Sequence, residues 1–314
     1  MNAILIFLFF FSFSNSQAAI YGKDDRISIV KADAKIQELS KSIFLLIPKS
    51  YIADKGEACD LAAVPLKEAS GLCPNEKGAD TLGFYMGCSG FLVSDDILIT
   101  AGHCMVQRGE VKDVQTPMCK EFVWVSDFRE ILKDGKVQPP QIEGVSKDRV
   151  FECEKVIYGI HDSEVDVISG KIIFERDFAL VKLKKKTGRA PLKLSGVPFP
   201  GVAQNAAISM IGYPLAAPAT YTANAKILSV ESKYYRANLD AFPGSSGAPV
   251  FNAKLEVIGL LVRGYPETLI DNRAGECHNI NRCDEAAKTC TQIDSEKMGE
   301  HIEPISFVKE FLHR

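Results

Sequence analysis

The chain has 314 residues, of which 46% are hydrophobic and 25% are charged, and its formal net charge at pH 7 is −3. This composition is that of an ordinary globular protein, and the length is sufficient to bury a sizeable core. A slightly negative net charge offers no basic footprint for a phosphate backbone, so nucleic acid is not expected as a partner.

The first predicted element is a signal peptide over residues 1–18. Its apolar core, residues 4–11, is too short to span a bilayer as a stable helix, and no Lys or Arg precedes it. Ser16-Gln17-Ala18 fits the small-x-small pattern that signal peptidases cleave. We therefore expect a secreted protein, extracellular or periplasmic, without stable membrane association once the signal is removed. The alternative is a retained membrane anchor.

The next segments predict short strands separated by loops. Residues 27–35 and 40–48 contain apolar runs that suit strands at the entry to a first barrel, and residues 84–101 alternate as a strand-turn-strand unit. Residues 49–82, rich in Ala, Gly, Pro and charge, predict a disulfide-stapled surface excursion. The polar stretch 104–152 predicts a long insertion that forms a wall of a substrate cleft.

The remaining pattern is also that of an all-β protein. Residues 306–312 have helical spacing and predict a terminal helix. Alternation alone supports an all-β sandwich or barrel. The candidate strands are residues 150–159, 178–183, 206–211, 225–229, 234–239, 249–251 and 257–262.

Nine cysteines, all located after the signal, indicate an oxidising compartment. Plausible disulfides are Cys59–Cys73 and Cys119–Cys153.

Three further cysteines lie close together near the carboxyl end. Cys277, Cys283 and Cys290 leave one thiol over, for an intermolecular bridge or a buried position. A zinc site formed by these residues with His278 is the alternative, but the spacings are irregular. We expect no metal and no cofactor.

Three short motifs carry a histidine, an aspartate and a serine in that order. His103 lies in TAGHC, Asp177 begins DFALV, and Ser246 lies in GSSGAPV. A serine hydroxyl needs a base within hydrogen-bond reach, and an imidazole, which titrates near neutrality, can take its proton. A buried carboxylate would hold the ring in the right tautomer. Each motif alone could be a turn or a structural histidine, but their joint occurrence favours catalysis.

The glycines around the serine predict a tight turn. In that turn the backbone amides of Gly244 and Ser246 can converge on a developing oxyanion, and each such donor contributes roughly 3–4 kcal/mol in the transition state.

Residues 83–314 resemble a trypsin-like serine endopeptidase of the chymotrypsin superfamily. The resemblance rests on CSGFLV at residues 88–93, ILITAGHC at 97–104 and DFALVKL at 177–183. It implies two antiparallel six-stranded β-barrels with a C-terminal helix and a Cys88–Cys104 disulfide.

The resemblance also assigns roles and boundaries. It makes His103 the base, Asp177 its orienting partner and Ser246 the nucleophile. The protease domain would cover residues 19–314, with the first barrel at about 27–186, the second at about 192–304 and the terminal helix at about 305–313. The partners would be protein or peptide substrates, and the enzyme would be a monomer.

Within the superfamily the chain is most similar to a secreted bacterial branch that includes glutamyl endopeptidases. The similar segments are residues 20–26, 211–214 and 240–247. Two departures matter. Animal enzymes carry an aspartate before the nucleophile that pairs with a newly cut amino terminus, and here Ser245 excludes that switch. The glutamate-selective enzymes place a histidine on the strand after the nucleophile, and residues 257–264 contain none.

Asp240, six residues before Ser246, is the candidate specificity residue. By resemblance to trypsin it would lie at the base of the specificity pocket and favour cleavage after Arg or Lys. Alternatively it caps the nucleophile loop by bonding nearby amides. Arg263 could pair with Asp240 or attract acidic side chains. Three interpretations therefore stand: cleavage after basic residues, a structural Asp240, and cleavage after acidic or other residues.

The alternative function is a catalytically silent binding module on the same fold, although all three triad positions are filled. A lipase or esterase is disfavoured, because Ala248 stands where the second glycine of Gly-x-Ser-x-Gly belongs and because the order of the triad differs.

Overall fold

The structure is a computed structural model that describes residues 19–165, 172–264, 269–272, 274–291 and 298–312, with side chains apart from those of 163–165 and 172–175. The predicted signal peptide, residues 1–18, lies outside this range. Within the described residues no helix has the length and apolar character needed to cross a membrane.

Two closed six-stranded antiparallel barrels form the fold, as predicted. The first barrel runs in the order β5-β4-β1-β2-β3-β6 and closes where β5 pairs with β6. Its strands are β1 (Ile43–Pro48), β2 (Cys88–Ser94), β3 (Ile97–Thr100), β4 (Phe122–Ser126), β5 (Val150–Val165) and β6 (Ile172–Leu183).

The second barrel runs in the order β7-β10-β11-β12-β9-β8 and closes where β7 pairs with β8. Its strands are β7 (Ala207–Gly212), β8 (Thr220–Val230), β9 (Tyr235–Ala237), β10 (Pro249–Asn252), β11 (Val257–Arg263) and β12 (Glu300–Pro304). Alternation predicted the first five approximately and missed β12.

Shorter elements decorate the barrels. The α-helices are Ala34–Ser40, Leu66–Ala69, Pro117–Glu121 and the C-terminal Ile305–Lys309. The short strands are Ile20–Tyr21, Ile27–Ser28, Ile52–Asp54, Ala58–Leu61, Val64–Pro65, Leu82–Gly83, Gly109–Val114, Ile131–Lys133, Lys136–Gln138, Val145–Ser146, Leu269–Asp271, His278–Ile280 and Arg282–Cys283.

The prediction of a loop insertion over residues 104–152 is wrong in part, because β4 lies inside it. Trp124 on β4 is fully buried and packs across the first barrel against Gly90 on β2. A Cβ on Gly90 would lie 2.6 Å from the Trp124 ring, so the glycine makes room for the indole. The polar flanks of this strand hid its buried face from the sequence pattern.

The prediction of first-barrel strands over residues 27–35 is also wrong. Ile27–Ser28 pairs with β8 of the second barrel, and a helix begins at Ala34. The Asp33 side chain accepts hydrogen bonds from the backbone N–H groups of Lys35 and Ile36, which caps that helix.

Four disulfides lie within the described residues. Cys88–Cys104 and Cys119–Cys153 join the pairs expected from the sequence. The proposed Cys59–Cys73 pair is wrong, because Cys73 bonds to Cys277, 204 residues away, and Cys59 is a buried free thiol.

The last disulfide, Cys283–Cys290, resolves the carboxyl-terminal cysteines. The zinc alternative fails, since Cys277 and both of these cysteines are oxidised and offer no thiolate.

Two side-chain contacts join the two barrels. The Tyr213 hydroxyl, at the end of β7, donates to the carbonyl of Ile43 on β1 at 3.0 Å. Arg176 on β6 pairs with Glu303 on β12 at 2.8 Å. The candidate site lies where these two barrels meet.

Candidate active site

His103 and Asp177 are held together in the first barrel. His103 lies on the short turn Gly102–Cys104 that follows β3, and Asp177 lies on β6. His103 Nδ1 is 2.8 Å from Oδ2 of Asp177, and the backbone N–H of His103 donates to Oδ1 at 2.8 Å. Because an ionised carboxylate only accepts, this geometry places the Nδ1 proton of His103 toward Asp177 and leaves Nε2 as the acceptor.

The electrostatics of this pair favour an ionised aspartate. Burial alone would raise the pKa of Asp177, whose side chain is 1% exposed. The His103 charge and its two hydrogen bonds outweigh burial and bring the pKa below its usual value. A buried anion at this position is available to stabilise an imidazolium.

Gly102 fixes how the histidine turn meets the neighbouring strand. A Cβ on Gly102 would lie 1.9 Å from the carbonyl oxygen of Ile160 on β5. The glycine therefore allows the close approach that presents His103 beside Asp177.

The serine loop lies between β9 and β10. Gly244 has φ +92°, and a Cβ there would lie 2.5 Å from the backbone nitrogen of Ala216. This position accepts only glycine, as the sequence predicted for a tight turn. Backbone bonds fix the rest of the loop: Ser245 N–H donates to Phe242 O at 2.9 Å, and Gly247 N–H to Leu261 O at 2.7 Å.

Two backbone N–H groups in this loop differ from their neighbours in their hydrogen bonding. Among the described residues, the N–H groups of Gly244 and Ser246 have no hydrogen-bond acceptor, whereas those of Ser245, Gly247 and Ala248 each have one. Unpaired backbone donors are uncommon in folded proteins. Their positions coincide with the two amides that the sequence assigned to an oxyanion hole.

Ser89 on β2 joins this loop to the first barrel, and sequence reasoning gave it no role. Its N–H donates to the Ser246 carbonyl at 2.7 Å, and its hydroxyl donates to the Gly244 carbonyl at 2.8 Å. The same hydroxyl accepts from the Tyr213 N–H at 3.0 Å. One serine therefore fixes both residues that carry the free amides.

Ser246 lies near the histidine turn, since Sγ of Cys104, the residue after His103, is 4.0 Å from the Ser246 carbonyl oxygen. Within the described part of the chain no hydrogen bond joins the Ser246 hydroxyl to the His103 ring. Such bonds are often long in unliganded sites and shorten when substrate binds.

A second histidine lies beside the first. The rings of His161 and His103 are 5.8 Å apart at their centroids, and the charge of His161 also lowers the pKa of Asp177. His161 lies opposite Asp177 in the β5–β6 register, a pairing that no sequence motif announces.

Asp240 is buried, with 3% of its surface exposed. Its Oδ1 accepts from the backbone N–H of Tyr21 at 2.8 Å, and among described residues its Oδ2 has no partner. Burial raises the pKa of Asp240 to about 7, and the cation that lowers it is Arg26 rather than Arg263. The structure thus brings Asp240 to the amino-terminal segment and does not pair it with Arg263.

Tyr21 and Glu300 complete this acidic region, and sequence reasoning missed both. The Tyr21 hydroxyl donates to Glu300 Oε1 at 3.1 Å. Burial raises the pKa of Glu300 well above its usual value. The resemblance of residues 20–26 to a mature amino-terminal segment was the available signal.

Residues 88–260, more than half of the chain, match the family described as the trypsin-like peptidase domain. The chain belongs to this family. It is therefore a serine-type peptidase by family. No curated protein matches the sequence.

Two solved structures are similar over most of their length. One is a serine-to-alanine mutant of Rv3671c from M. tuberculosis H37Rv in an inactive form, with 13% identity, a TM-score of 0.46 and coverage of 94% of this chain and 96% of that one. The other is the Rv3671c protease in an inactive form, with 14% identity, a TM-score of 0.43 and coverage of 88% and 91%.

Proposed function

We propose that the protein is a secreted serine endopeptidase in which Ser246 is the nucleophile, His103 the base and Asp177 its orienting partner. One observation carries the proposal. A buried aspartate holds the histidine in the required tautomer, next to a serine loop whose amides at Gly244 and Ser246 are free to donate.

The first chemical step forms the acyl-enzyme. The Ser246 oxygen attacks the scissile carbonyl carbon while its proton passes to Nε2 of His103, and Asp177 stabilises the imidazolium. The carbonyl oxygen becomes an anion held by the two free amides. The tetrahedral intermediate collapses, the C–N bond breaks, and His103 gives its proton to the leaving amine.

Hydrolysis repeats the sequence with water. His103 accepts a proton from water as the hydroxide attacks the acyl carbon, and the same amides hold the second oxyanion. The ester bond to Ser246 then breaks, and His103 returns the proton to the serine oxygen. Each residue ends in its starting state.

The proposal includes secretion of the protein and its similarity to the secreted bacterial branch. Four disulfides fit an extracellular or periplasmic protein. The likeness to the secreted bacterial branch supports the same location, while its glutamate selectivity has no supporting residue in this chain.

The contacts of Asp240 support its structural interpretation. One of its oxygens is occupied by the Tyr21 amide, and little of its surface is exposed. We therefore expect no strong preference for Arg or Lys at the cleavage site.

The test combines covalent labelling with cleavage profiling. The secreted wild-type chain should react with a fluorophosphonate probe and cleave internal bonds of a peptide library, and Ser246→Ala should lose both activities. Labelling without peptide cleavage would favour an esterase. Absence of labelling in a folded wild-type protein would favour the silent binding module.

A further inference from the structure

Two buried carboxyl groups are joined by Tyr21, whose N–H donates to Asp240 and whose hydroxyl donates to Glu300. Asp240 precedes the serine loop and Glu300 begins β12, and we refer to them as the acidic pair. Their charges repel each other, and each has one oxygen without a hydrogen-bond partner among the described residues. Glu300 is 0% exposed. A buried carboxyl in such surroundings either stays protonated or binds a positive group, so the pair is a place where a cation would be held.

The cationic side chains described nearby are bound elsewhere. The charge of Arg236 acts on Tyr21, but its guanidinium donates to the Ser229 hydroxyl and the Met298 carbonyl. Arg26 acts on Asp240, but its guanidinium is bound to Asp24 at 2.9 Å. Among the described residues no lysine, arginine or histidine forms an ion pair with Glu300.

The group that does reach the acidic pair is the backbone of the amino-terminal segment. The N–H of Ala19 donates to the Glu300 carboxylate, and the N–H of Tyr21 donates to Asp240. Ala19 and Ile20 are fully buried, and Ile20 pairs in parallel with Arg282. The nitrogen of Ala19 is therefore fixed against a carboxylate in the interior.

That nitrogen is also where the predicted signal peptide ends. Hydrolysis of the Ala18–Ala19 bond by a signal peptidase consumes one water, leaves a carboxylate on Ala18 and frees the amine of Ala19, which takes up a proton. The product is a cation at the atom that already contacts Glu300.

We propose that the mature chain begins at Ala19 and that its α-ammonium forms a buried ion pair with Glu300, which compensates the charge of that carboxylate and seats the serine loop. The inference rests on the proposed function, because it assumes a signal that is removed and a loop that catalyses. Glu300 acts here as a positioning residue. Ser245 lies in the serine loop and offers no carboxylate, whereas Glu300 offers one from β12.

The path from the terminus to the loop is short. Ile20 packs in one apolar cluster with Phe242 and Leu215, and Leu215 N–H donates to Pro243 O at 2.6 Å. Phe242 and Pro243 directly precede Gly244. Displacing the terminus therefore loosens the residues that carry an oxyanion amide.

The experiment compares three forms of the amino terminus. The secreted chain, with its terminus identified by mass spectrometry, is compared with a chain that keeps one extra residue before Ala19 and with a chain acetylated at Ala19. We expect the native terminus to be Ala19. We expect each blocked form to lose about tenfold in kcat/KM, mainly through kcat, and at least about 5 °C in Tm.

A double-variant comparison assigns the effect to Glu300. In Glu300→Gln, blocking the terminus should change neither kcat nor Tm further. Glu303→Gln is the matched control, since Glu303 is also buried on β12 but pairs with Arg176. It should remain as sensitive to blocking as the wild type. A signature independent of activity is pulse acetylation, in which Ala19 should be protected at least tenfold in the wild type relative to Glu300→Gln.

Several results would overturn the inference. They are a native terminus at another residue, equal kcat and Tm for free and blocked chains, and equal acetylation of Ala19 in wild type and Glu300→Gln. Tm and acetylation are also measured in Ser246→Ala. If the proposed catalysis fails while Ala19 is still protected, the ion pair stands without the enzyme.

Discussion

Ser89→Ala tests whether one side chain holds the oxyanion donors in place. The substitution removes two buried hydrogen bonds, from the Ser89 hydroxyl to Gly244 O and from Tyr213 N–H to that hydroxyl. Each of the two buried groups left without a partner costs about 1–3 kcal/mol, so the free energy of unfolding should fall by about 2–6 kcal/mol. Chemical denaturation measures this loss.

The effect on catalysis follows from the conformation of Gly244. With its carbonyl released, this residue is no longer tied to its φ of +92°, and its N–H spends less time aimed at the oxyanion. Complete loss of one donor costs about 10²–10³ in kcat, so partial misplacement should cost about 10–100-fold. KM should change little, since the donor acts in the transition state. Initial rates with a peptide substrate, taken where both proteins are folded, separate the two constants.

Ser126→Ala is the matched control. Ser126 on β4 is equally buried, and its hydroxyl also makes two hydrogen bonds, to Arg149 O and from Arg189. It should lose comparable stability and keep its kcat. If Ser89→Ala keeps kcat within about twofold of the wild type, or if Ser126→Ala loses as much, the assigned role of Ser89 is wrong.

Two further predictions concern stability. Replacing Cys88 and Cys104 by alanine should lower the free energy of unfolding by about 3 kcal/mol, because the disulfide closes a loop across 16 residues. The variant should also have a lower kcat, because Cys104 directly follows His103 and the disulfide fixes the backbone there. An unchanged kcat in the folded variant would contradict this second expectation. The second prediction concerns a chain extended before Ala19, in which burial raises the pKa of Asp240 to about 7. Because this carboxyl holds its proton more tightly in the folded state, its contribution to the free energy of unfolding is complete below about pH 4 and is lost as the pH rises through 7. Asp240→Asn should reduce the change in the free energy of unfolding with pH by up to about 1.4 kcal/mol per pH unit. Denaturation midpoints measured from pH 4 to pH 8 give this pH dependence, and an unaltered dependence would exclude Asp240 as its source.

The sequence predicted the parts of the fold that local patterns encode. The strands around His103 and Asp177 and most of the second barrel were recognisable from alternation and motif. Trp124 and β4 were not, because flanking polar residues disguised a strand whose partners lie far away in the chain. Strand β12 was missed for a similar reason, since its residues Glu300–Pro304 alternate poorly and are fixed by neighbours on both sides.

The unpredicted part of the site depends on contacts across the chain. Ser89 lies 155 residues from Gly244, and Tyr21 lies 279 residues from Glu300. No spacing rule links residues so far apart, and a buried glutamate in a polar segment looks like a surface residue. The Cys73–Cys277 disulfide was not predicted for the same reason, because Cys59 lies much closer to Cys73 in the sequence and was taken as its partner.

The size of the terminus effect follows from how the serine loop is held. Ser245 is fully buried, and its hydroxyl is uncharged, so this position does not require an ammonium group as a buried aspartate would. The loop is instead tied by its own backbone bonds and by Ser89, none of which involves Ala19. A switch that depended on one charge in the loop would be all-or-none. Here the ion pair with Glu300 acts on the loop indirectly, through the apolar cluster that Ile20 shares with Phe242, so a blocked terminus should leave a weakened enzyme rather than an inactive one.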